Sequence, residues 1–415
     1  MRGGRRRWHV RERLYLHCRL MLAVMGPGLL AAMADNDAGG IAMYMQAGSE
    51  YGYAMILVVC LSIVCLAVCQ EMSARTGIAC GQGLAALIRQ RYGVGWSLFI
   101  VAILLTANLG TTAAEFAGIA AAGRLAGIPV WVSILAAGAL LACMAVCCCY
   151  RRAERILLLL CLSFAGYLAG GYSAIPSTEE IWLSCLQTDI TQVPFWLTAI
   201  GVIGTTVTPW GQFYLQSSVV DKGLGKTESA YVKVDVLSGC VLTGIVALAI
   251  VCIASDTLWE GGEGYTSLGQ SAAALRPIFG DWANALFGIG LFGASLLAAF
   301  ILPLCSAYAV CEALGTECGL DRTVREAPCF FGVYFFVLVG GMVGAFLAAE
   351  SLLWVMIVPQ IANGILLLPI LFFMVLLAQD DHIMGTYRNT AWQDRCALLV
   401  LIILAAAEIS LLLTL

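Results

Sequence analysis

Two short polar segments interrupt long apolar stretches of the chain, and they hold the side chains best suited to chemistry. The first reads DNDAGG at 35–40 and the second reads TTVTPWGQ at 205–212. Carboxylate, hydroxyl and carbonyl oxygens are the ligands that hard cations prefer. A carboxylate at the centre of a membrane span costs ~2.5–3.5 kcal/mol on insertion scales, so it usually faces a cavity or a partner. The pattern predicts cation binding by Asp35 or Asp37, and the structural alternative is that either one only caps the following half-helix.

The stretches around these segments predict an all-α polytopic membrane protein. The chain has 415 residues, of which 61% are hydrophobic and 12% are charged, far from the usual composition of a soluble domain. A helix needs about 20 residues to cross a hydrocarbon core of ~30 Å. Eleven apolar spans of that length are predicted, at 21–47, 52–72, 97–123, 129–149, 156–175, 195–219, 234–255, 282–312, 328–349, 351–379 and 396–415.

The distribution of basic residues predicts the orientation in the membrane. If the N-terminus is inside, all but two of the 22 Lys and Arg residues, Arg124 and Arg276, fall in inside segments. Positive charge collects in cytoplasmic loops close to helix ends. We therefore expect a multi-pass protein of the plasma (inner) membrane with a cytoplasmic N-terminus, and eleven spans then place the C-terminus outside.

The two polar segments lie five spans apart, in the first and the sixth span. A five-span unit with a broken first helix, present twice, is typical of inverted-repeat transporters, whose unwound segments bind substrate or ion at the midplane. The predicted divisions are a basic cytoplasmic N-terminus (1–20), a first repeat (21–175), an extracellular loop (176–194), a second repeat (195–379), and a cytoplasmic loop with helix eleven (380–415).

Other function classes find little support in the sequence. The only histidines are His9, His17 and His382, and none lies in a span, so a haem or structural zinc site is not expected. No nucleophile–base pair or cofactor motif indicates an enzyme. The expected partners are a divalent metal ion and the lipid bilayer, with no cofactor, no nucleic acid and no obligate protein partner.

Several motifs together resemble NRAMP-type divalent metal transporters. They are DAGG at 37–40, QAGSEYGY at 46–53, AAEFAG at 113–118, YRRAERILLLL at 150–160, GVIGTTVTPWGQFYLQSS at 201–218 and DDHIMG at 380–385. The resemblance covers nearly the whole chain. It implies an amino-acid-transporter-like fold, alternating access, and an ion site between helices one and six.

Departures from the family's motifs concern the ion ligands. Where the family has Asp-Pro-Gly-Asn and Met-Pro-His-Asn, this chain keeps Asp37 but has Gly40 for Asn, Thr208 for Met and Trp210 for His. Loss of a thioether removes a preference for soft metals, and Gly40 and Thr208 are expected to leave room for hydrated Mg²⁺. The pattern resembles the NRAMP-related magnesium transporter branch. It predicts Mg²⁺ transport with Mn²⁺ also accepted; the alternative is that the substitutions are drift in a Mn²⁺ carrier.

The same departures bear on proton coupling. Trp210 replaces a titratable His, Thr112 stands where an acidic residue is expected, and Glu115 remains. These residues predict facilitative transport without proton coupling. A proton-coupled Mn²⁺/Fe²⁺ transporter is the first alternative. An amino-acid carrier of the same fold is the second, although Asp35 and Asp37 would repel its carboxylate.

The candidate residues follow from the resemblance and the two breaks. The expected metal site comprises Asp35, Asp37, Gly40, Thr205, Thr206, Thr208, Trp210 and Gln212, and the expected pathway comprises Glu115, Gln360 and Asn363. If Asp35 lies toward the cavity mouth and only attracts cations, its loss should matter less for transport than the loss of Asp37. Some roles stay open: Thr206 and Thr208 are equally able to bond back to their own helix. Either Gly211 or Gln212 corresponds to the family's Asn, and Gln360 and Asn363 are also suited to hydrogen bonds between helices.

Overall fold

The computed structural model describes residues 25–259 and 265–414, and all regular structure in these ranges is helical. The predicted basic N-terminus (1–20) and the start of the first predicted span lie outside the described residues. The α-helices, numbered in chain order, are α1 (Pro27–Ala34), α2 (Ala38–Tyr51), α3 (Met55–Cys80), α4 (Leu84–Tyr92), α5 (Val94–Leu125), α6 (Val130–Cys147), α7 (Tyr150–Leu160), α8 (Ala165–Ser173), α9 (Thr178–Gln187), α10 (Val193–Thr206), α11 (Pro209–Asp221), α12 (Ser229–Leu258), α13 (Leu268–Ala274), α14 (Arg276–Phe279), α15 (Ala283–Leu314), α16 (Pro328–Leu347), α17 (Leu352–Gln379), α18 (Asp381–Met384) and α19 (Ala391–Thr414).

Nine helical stretches within the described ranges are long and apolar enough to cross a membrane. Each half of the broken sixth span, α10 and α11, is too short to span alone, with 14 and 13 residues. The all-helical, membrane-spanning architecture is confirmed, whereas the total of eleven spans stays a prediction. Outward-facing residues such as Phe336, Val343 and Leu399 are at least half exposed, as lipid-facing side chains should be.

The helix boundaries differ from the predicted spans where polar side chains find partners inside the protein. The second span was predicted to end at 72, but α3 continues to Cys80. Ser73 donates to the carbonyl oxygen of Gln212, and Arg75 donates to the carbonyl oxygen of Tyr387. These contacts stabilise polar helix turns that hydropathy alone assigns to a loop.

Both broken helices are enclosed by longer ones. α12 packs against α1, α2 and α3, while α5 packs against α15, α16 and α17. α10 contacts α2 and α17, so the two breaks lie in the interior of the bundle. All side chains from Ala34 to Met45 are buried, and so are those from Ala199 to Val219.

Both breaks are narrower than the polar segments suggested. In the first, only residues 35–37 are non-helical, and in the second, only 207–208. Asp37 accepts a hydrogen bond from the amide of Gly40, and Thr208 accepts one from the amide of Gly211. Each second half-helix therefore begins with the same capping geometry, which lets the helix form directly after the cap.

Candidate metal-ion site at the two helix breaks

Asp37 is held at the first break with part of its carboxylate unused. It is fully buried and extended, and its Oδ1 accepts from the Gly40 amide at 2.6 Å. Its Oδ2 has no hydrogen-bond donor in the described part of the chain. The capping alternative is therefore true for one oxygen, and the other remains available to a cation.

Asp35 is used differently, although it is buried as deeply as Asp37. Its Oδ1 accepts from the Thr208 hydroxyl at 2.7 Å, and its Oδ2 accepts from the Gln70 amide at 3.4 Å. Asp35 does not lie at a cavity mouth in this structure, because it is fully buried and both of its oxygens accept hydrogen bonds inside the bundle. Asp35 links the first break to the second.

The three threonines of helix six have three distinct roles. Thr206 bonds back to the carbonyl oxygen of Val202 at 2.6 Å and contacts the Tyr44 hydroxyl at 2.9 Å, so back-bonding is confirmed for this residue. Thr208 instead caps α11 and donates to Asp35. The Thr205 hydroxyl is fully buried and has no partner among the residues that the structure describes.

Oxygen atoms surround the position where Gly40 lacks a side chain. A Cβ built at Gly40 would lie 2.8 Å from Thr205 Oγ1, 2.9 Å from the Asp35 carbonyl oxygen and 3.2 Å from Asp37 Oδ1. The expectation that Gly40 leaves open room is wrong in this respect, because the space is lined closely by oxygens. A hydroxyl, a carbonyl and a carboxylate thus converge beside one backbone position, and all three are hard ligands.

Glu115 of α5 lies beside Asp37. Its Oε2 accepts from the Ala38 amide at 3.1 Å, at the start of α2. Its Oε1 has no partner in the described structure, and its carboxyl group interacts with that of Asp37. Two neighbouring buried carboxyl groups require a cation or a shared proton.

A chain of amides extends from Asp37 toward α5. Gln360 Nε2 lies 3.5 Å from Asp37 Oδ1, and Asn363 donates to Gln360 at 3.2 Å. Asn363 also donates to Thr111 at 3.0 Å, which is the hydrogen bond between helices named above as an alternative. Gln360 therefore lies at the site, and Asn363 holds Gln360 in place through a hydrogen bond.

The remaining predicted residues, Trp210 and Gln212, are buried and keep polar side-chain atoms without hydrogen bonds. Neither amide atom of Gln212 nor the indole N–H of Trp210 has a partner in the described ranges. The backbone carbonyls of both residues are used, by Ser73 and by Cys305 respectively. A Cβ at Gly211 would lie 2.8 Å from Thr208 Oγ1, so Gly211 lies close to the second break.

The site contains acidic side chains but no basic side chain paired with them among the described residues. Asp35, Asp37 and Glu115 are all fully buried, and none takes part in an ion pair among the described residues. Within residues 25–259 and 265–414, no three His, Cys, Asp or Glu side chains come together as a preformed metal cage. The arrangement is thus a sparse, oxygen-rich, negatively charged site.

Comparison with known families decides the affiliation. Residues 28–414 match the family model described as Nramp, natural resistance-associated macrophage protein-like. The chain belongs to the Nramp family. It is therefore an integral multi-pass membrane protein and a transporter, not an enzyme.

Curated relatives of this Nramp protein include two bacterial proteins named divalent metal cation transporter MntH. The one from Erwinia tasmaniensis is 30% identical over 67% of this chain and 69% of its own length. The one from Pectobacterium carotovorum subsp. carotovorum is 26% identical over 95% of each chain.

Solved structures agree on the fold. The manganese transporter of Eremococcus coleocola superimposes with a TM-score of 0.72 at 17% identity, covering 94% of this chain and 85% of the other. A nucleobase-cation-symport-1 family transporter in a closed conformation gives 0.53 at 16% identity, covering 93% and 92%. These likenesses confirm the amino-acid-transporter-like architecture with broken helices one and six.

The sequence analysis missed a set of contacts that hold the start of α1 in this Nramp chain. Asp235 of α12 accepts from the amides of Gly26 at 3.2 Å, Gly28 at 2.7 Å and Leu29 at 3.3 Å. Lys222 donates to the Met25 carbonyl oxygen at 2.9 Å and to Glu154 at 2.7 Å. We call Met25, Glu154, Lys222 and Asp235 the α1 latch.

A signal for two of the missed residues exists in the sequence. Gln70 and Asp235 are polar residues inside predicted apolar spans, which by default marks a cavity or a partner. Their partners lie 35 and about 200 positions away along the chain, so no local pattern identifies them.

Proposed function

We propose that this protein carries divalent cations across the membrane by alternating access, with Mg²⁺ preferred and Mn²⁺ also accepted. One observation carries the proposal: Asp35, Asp37 and Glu115 are each fully buried near the first break, and none of them forms an ion pair in the described structure. Buried charge without compensation is strongly unfavourable. A divalent ion at Asp37 supplies that compensation.

The ligand chemistry supports a hard ion. The oxygens that converge beside Gly40 come from Asp37, Thr205 and the Asp35 backbone, and Gln360 directs its amide N–H toward Asp37. Mg²⁺ favours a few carboxylate or carbonyl oxygens together with retained waters. The MntH relatives are named divalent metal cation transporters, and the Eremococcus structure is that of a manganese transporter, which supports divalent transport.

Transport without proton coupling is part of the proposal. Thr112 bonds back to the Asn108 carbonyl oxygen at 2.6 Å and offers no proton acceptor of its own. Trp210 likewise cannot exchange protons near neutral pH. An inside-negative potential supplies ~2.3 kcal/mol per charge per 100 mV, and about twice that for a divalent ion.

Glu115 is the observation that favours the second candidate, a proton-coupled Mn²⁺/Fe²⁺ transporter. Its carboxyl group interacts with Asp37, so the pair has the means to exchange a proton for an ion. The amino-acid carrier is disfavoured, because a substrate carboxylate would meet Asp35, Asp37 and Glu115 without a positive counter-charge.

Proteoliposome uptake distinguishes these candidates. The lumen holds a Mg²⁺-sensitive dye or a pH dye, and Mg²⁺, Mn²⁺ or Ca²⁺ is added outside under an inside-negative potential. We expect saturable Mg²⁺ and Mn²⁺ uptake with no metal-dependent acidification. Acidification in fixed proportion to the metal, lost in Glu115→Gln, would establish the coupled alternative. Saturable alanine uptake without metal uptake would establish the amino-acid carrier.

We also propose a cytoplasmic N-terminus, an outside C-terminus, and repeats at 21–175 and 195–379. The distribution of Lys and Arg supports the orientation. Accessibility of single cysteines to a membrane-impermeant thiol reagent, in a variant without other reactive cysteines, tests it at each loop.

A further inference from the structure

An apolar groove runs along the outer surface of the bundle between α5, α17 and α19. Its volume is about 750 Å³, and its walls include Trp96, Phe99, Phe372, Leu376 and Ile402. All three helices are among the candidate membrane spans, so the groove faces the bilayer. Phe99, Phe372 and Ile402 are each about half exposed, which leaves the groove open to a chain from the side.

Packed aromatic rings fix the shape of the groove at one end. Phe373 makes an edge-to-face contact with Tyr92 at 5.3 Å between centroids and a tilted contact with Trp96 at 5.4 Å. Aromatic residues of this type are enriched at the level of lipid headgroups. The aromatic end of the groove therefore marks the interface, and the aliphatic remainder extends toward the hydrocarbon.

Arg91 stands directly at this aromatic end. Its side chain is half exposed, and its Nε bonds to Asp380 Oδ2 at 2.5 Å. No described residue accepts from its two Nη groups, which lie beside the Tyr92 ring, 5.9 Å from Arg Cζ to the ring centroid. Both terminal NH₂ groups of Arg91 are thus available to a ligand at the entrance of the groove.

Arg395 approaches the same entrance from α19. It lies seven residues before Ile402, which places it on the same helix face, about 10 Å along the axis. It is exposed and makes no ion pair in the described part of the structure, and Trp392 beside it is 70% exposed. Long Arg side chains at helix ends reach along apolar surface toward the interface.

We propose that this groove binds a phospholipid with an anionic headgroup, its acyl chain against Phe99, Phe372 and Ile402 and its phosphate between Arg91 and Arg395. Guanidinium groups bind phosphate oxygens in a bidentate manner. The carboxylates near this entrance already have partners: Asp380 bonds to Arg91, Asp381 is paired with Arg388, and Asp394 accepts from Asn389. The free N–H groups of the two arginines attract an anionic headgroup more strongly than the zwitterionic headgroup of phosphatidylcholine. The site is separate from the helix breaks, and the proposal does not depend on the transported ion.

Native mass spectrometry of the full-length protein in detergent tests the charge selection. The protein is incubated with equal amounts of phosphatidylglycerol and phosphatidylcholine of the same chain length. We expect preferential retention of phosphatidylglycerol in the wild type, and at least a fivefold lower ratio of the two bound lipids in Arg91→Gln/Arg395→Gln. Arg152→Gln, an exposed arginine on α7 remote from the groove, is the matched control and should keep the wild-type ratio.

Two further variants test the position of the lipid. Ile402→Trp fills the groove and should reduce the number of tightly bound lipids by one, with an unchanged unfolding temperature in detergent. Asp380→Asn frees Arg91 Nε and should raise phosphatidylglycerol retention. The proposal is overturned if the wild type shows no preference, if the double variant keeps the wild-type ratio, or if Ile402→Trp leaves the lipid count unchanged.

Discussion

The two helix breaks begin their second halves in the same way but differ in what they contribute. At the first break, Asp37 caps α2 and keeps a free carboxylate oxygen. At the second break, Thr208 caps α11 and donates its hydroxyl hydrogen bond to Asp35. The first break is charged, whereas the second offers only neutral oxygens.

Because of this difference, the two breaks have different roles in the proposed site: the first attracts the cation, and the second arranges ligands around it. In the proposed site, charge at the first break attracts the cation, because buried charge without a counter-charge is unfavourable. Neutral groups at the second break, Thr205 above all, are expected to shape its coordination shell. The Asp35–Thr208 bond fixes the distance between the two, so the breaks act as one unit.

Loss of the Asp37 charge should have the largest effect. Unit charges about 4 Å apart interact by roughly 4 kcal/mol near a protein surface, so Asp37→Asn should lower Mg²⁺ uptake by at least roughly a hundredfold. Asp35→Asn, which still accepts from Thr208, should lower it much less. Initial uptake rates at matched reconstitution measure both, with exposed Asp256→Asn as the control. Wild-type uptake by Asp37→Asn would remove Asp37 from the site.

Added methyl groups at the two equivalent glycines compare the breaks sterically. A Cβ at Gly40 meets oxygens of both Thr205 and Asp35 within 3 Å, whereas one at Gly211 meets only Thr208 that closely. Overpacking of this kind costs ~1–3 kcal/mol. Gly40→Ala should therefore reduce uptake about tenfold and Gly211→Ala about threefold. Equal losses of uptake in the two variants would show that the oxygens beside Gly40 matter no more for transport than the contact at Gly211.

The bond between the breaks should be visible in stability. Thr208→Val removes the cap of α11 and leaves Asp35 Oδ1 buried without a donor, which costs ~1–3 kcal/mol. Thr208→Ser keeps the hydroxyl and serves as the matched control. We expect a lower unfolding temperature in detergent for Thr208→Val alone. A similar decrease in both variants would indicate lost packing rather than a lost hydrogen bond.

Restoring a thioether at the second break should have the smallest effect. Thr208→Met offers a soft ligand and should raise the ratio of Mn²⁺ to Mg²⁺ uptake by only about threefold, since the oxygens beside Gly40 remain. Competition uptake at equal concentrations of the two ions measures the ratio, and Thr208→Leu controls for size. An equal shift in Thr208→Leu would exclude the sulfur as its cause.

Sequence patterns predicted the elements of this fold better than the contacts between them. Apolar spans and the residues of the breaks follow from local composition. The roles of Asp35 and Thr208 were not predictable, because a single hydrogen bond joins residues 173 positions apart. Helix α9 was missed although Ser177 and Glu180 form a capping box, a local signal that was present in the sequence.

The α1 latch has a consequence for the way this end of the molecule opens. α1 has only eight residues and no cap from its own side chains, and Asp235 of α12 supplies that cap instead. Isolated helices shorter than ~12–15 residues are marginal in water. Separation of α1 from Asp235 would thus be local melting as much as hinge motion. The opening rate at this end should then rise steeply with temperature, as unfolding rates do.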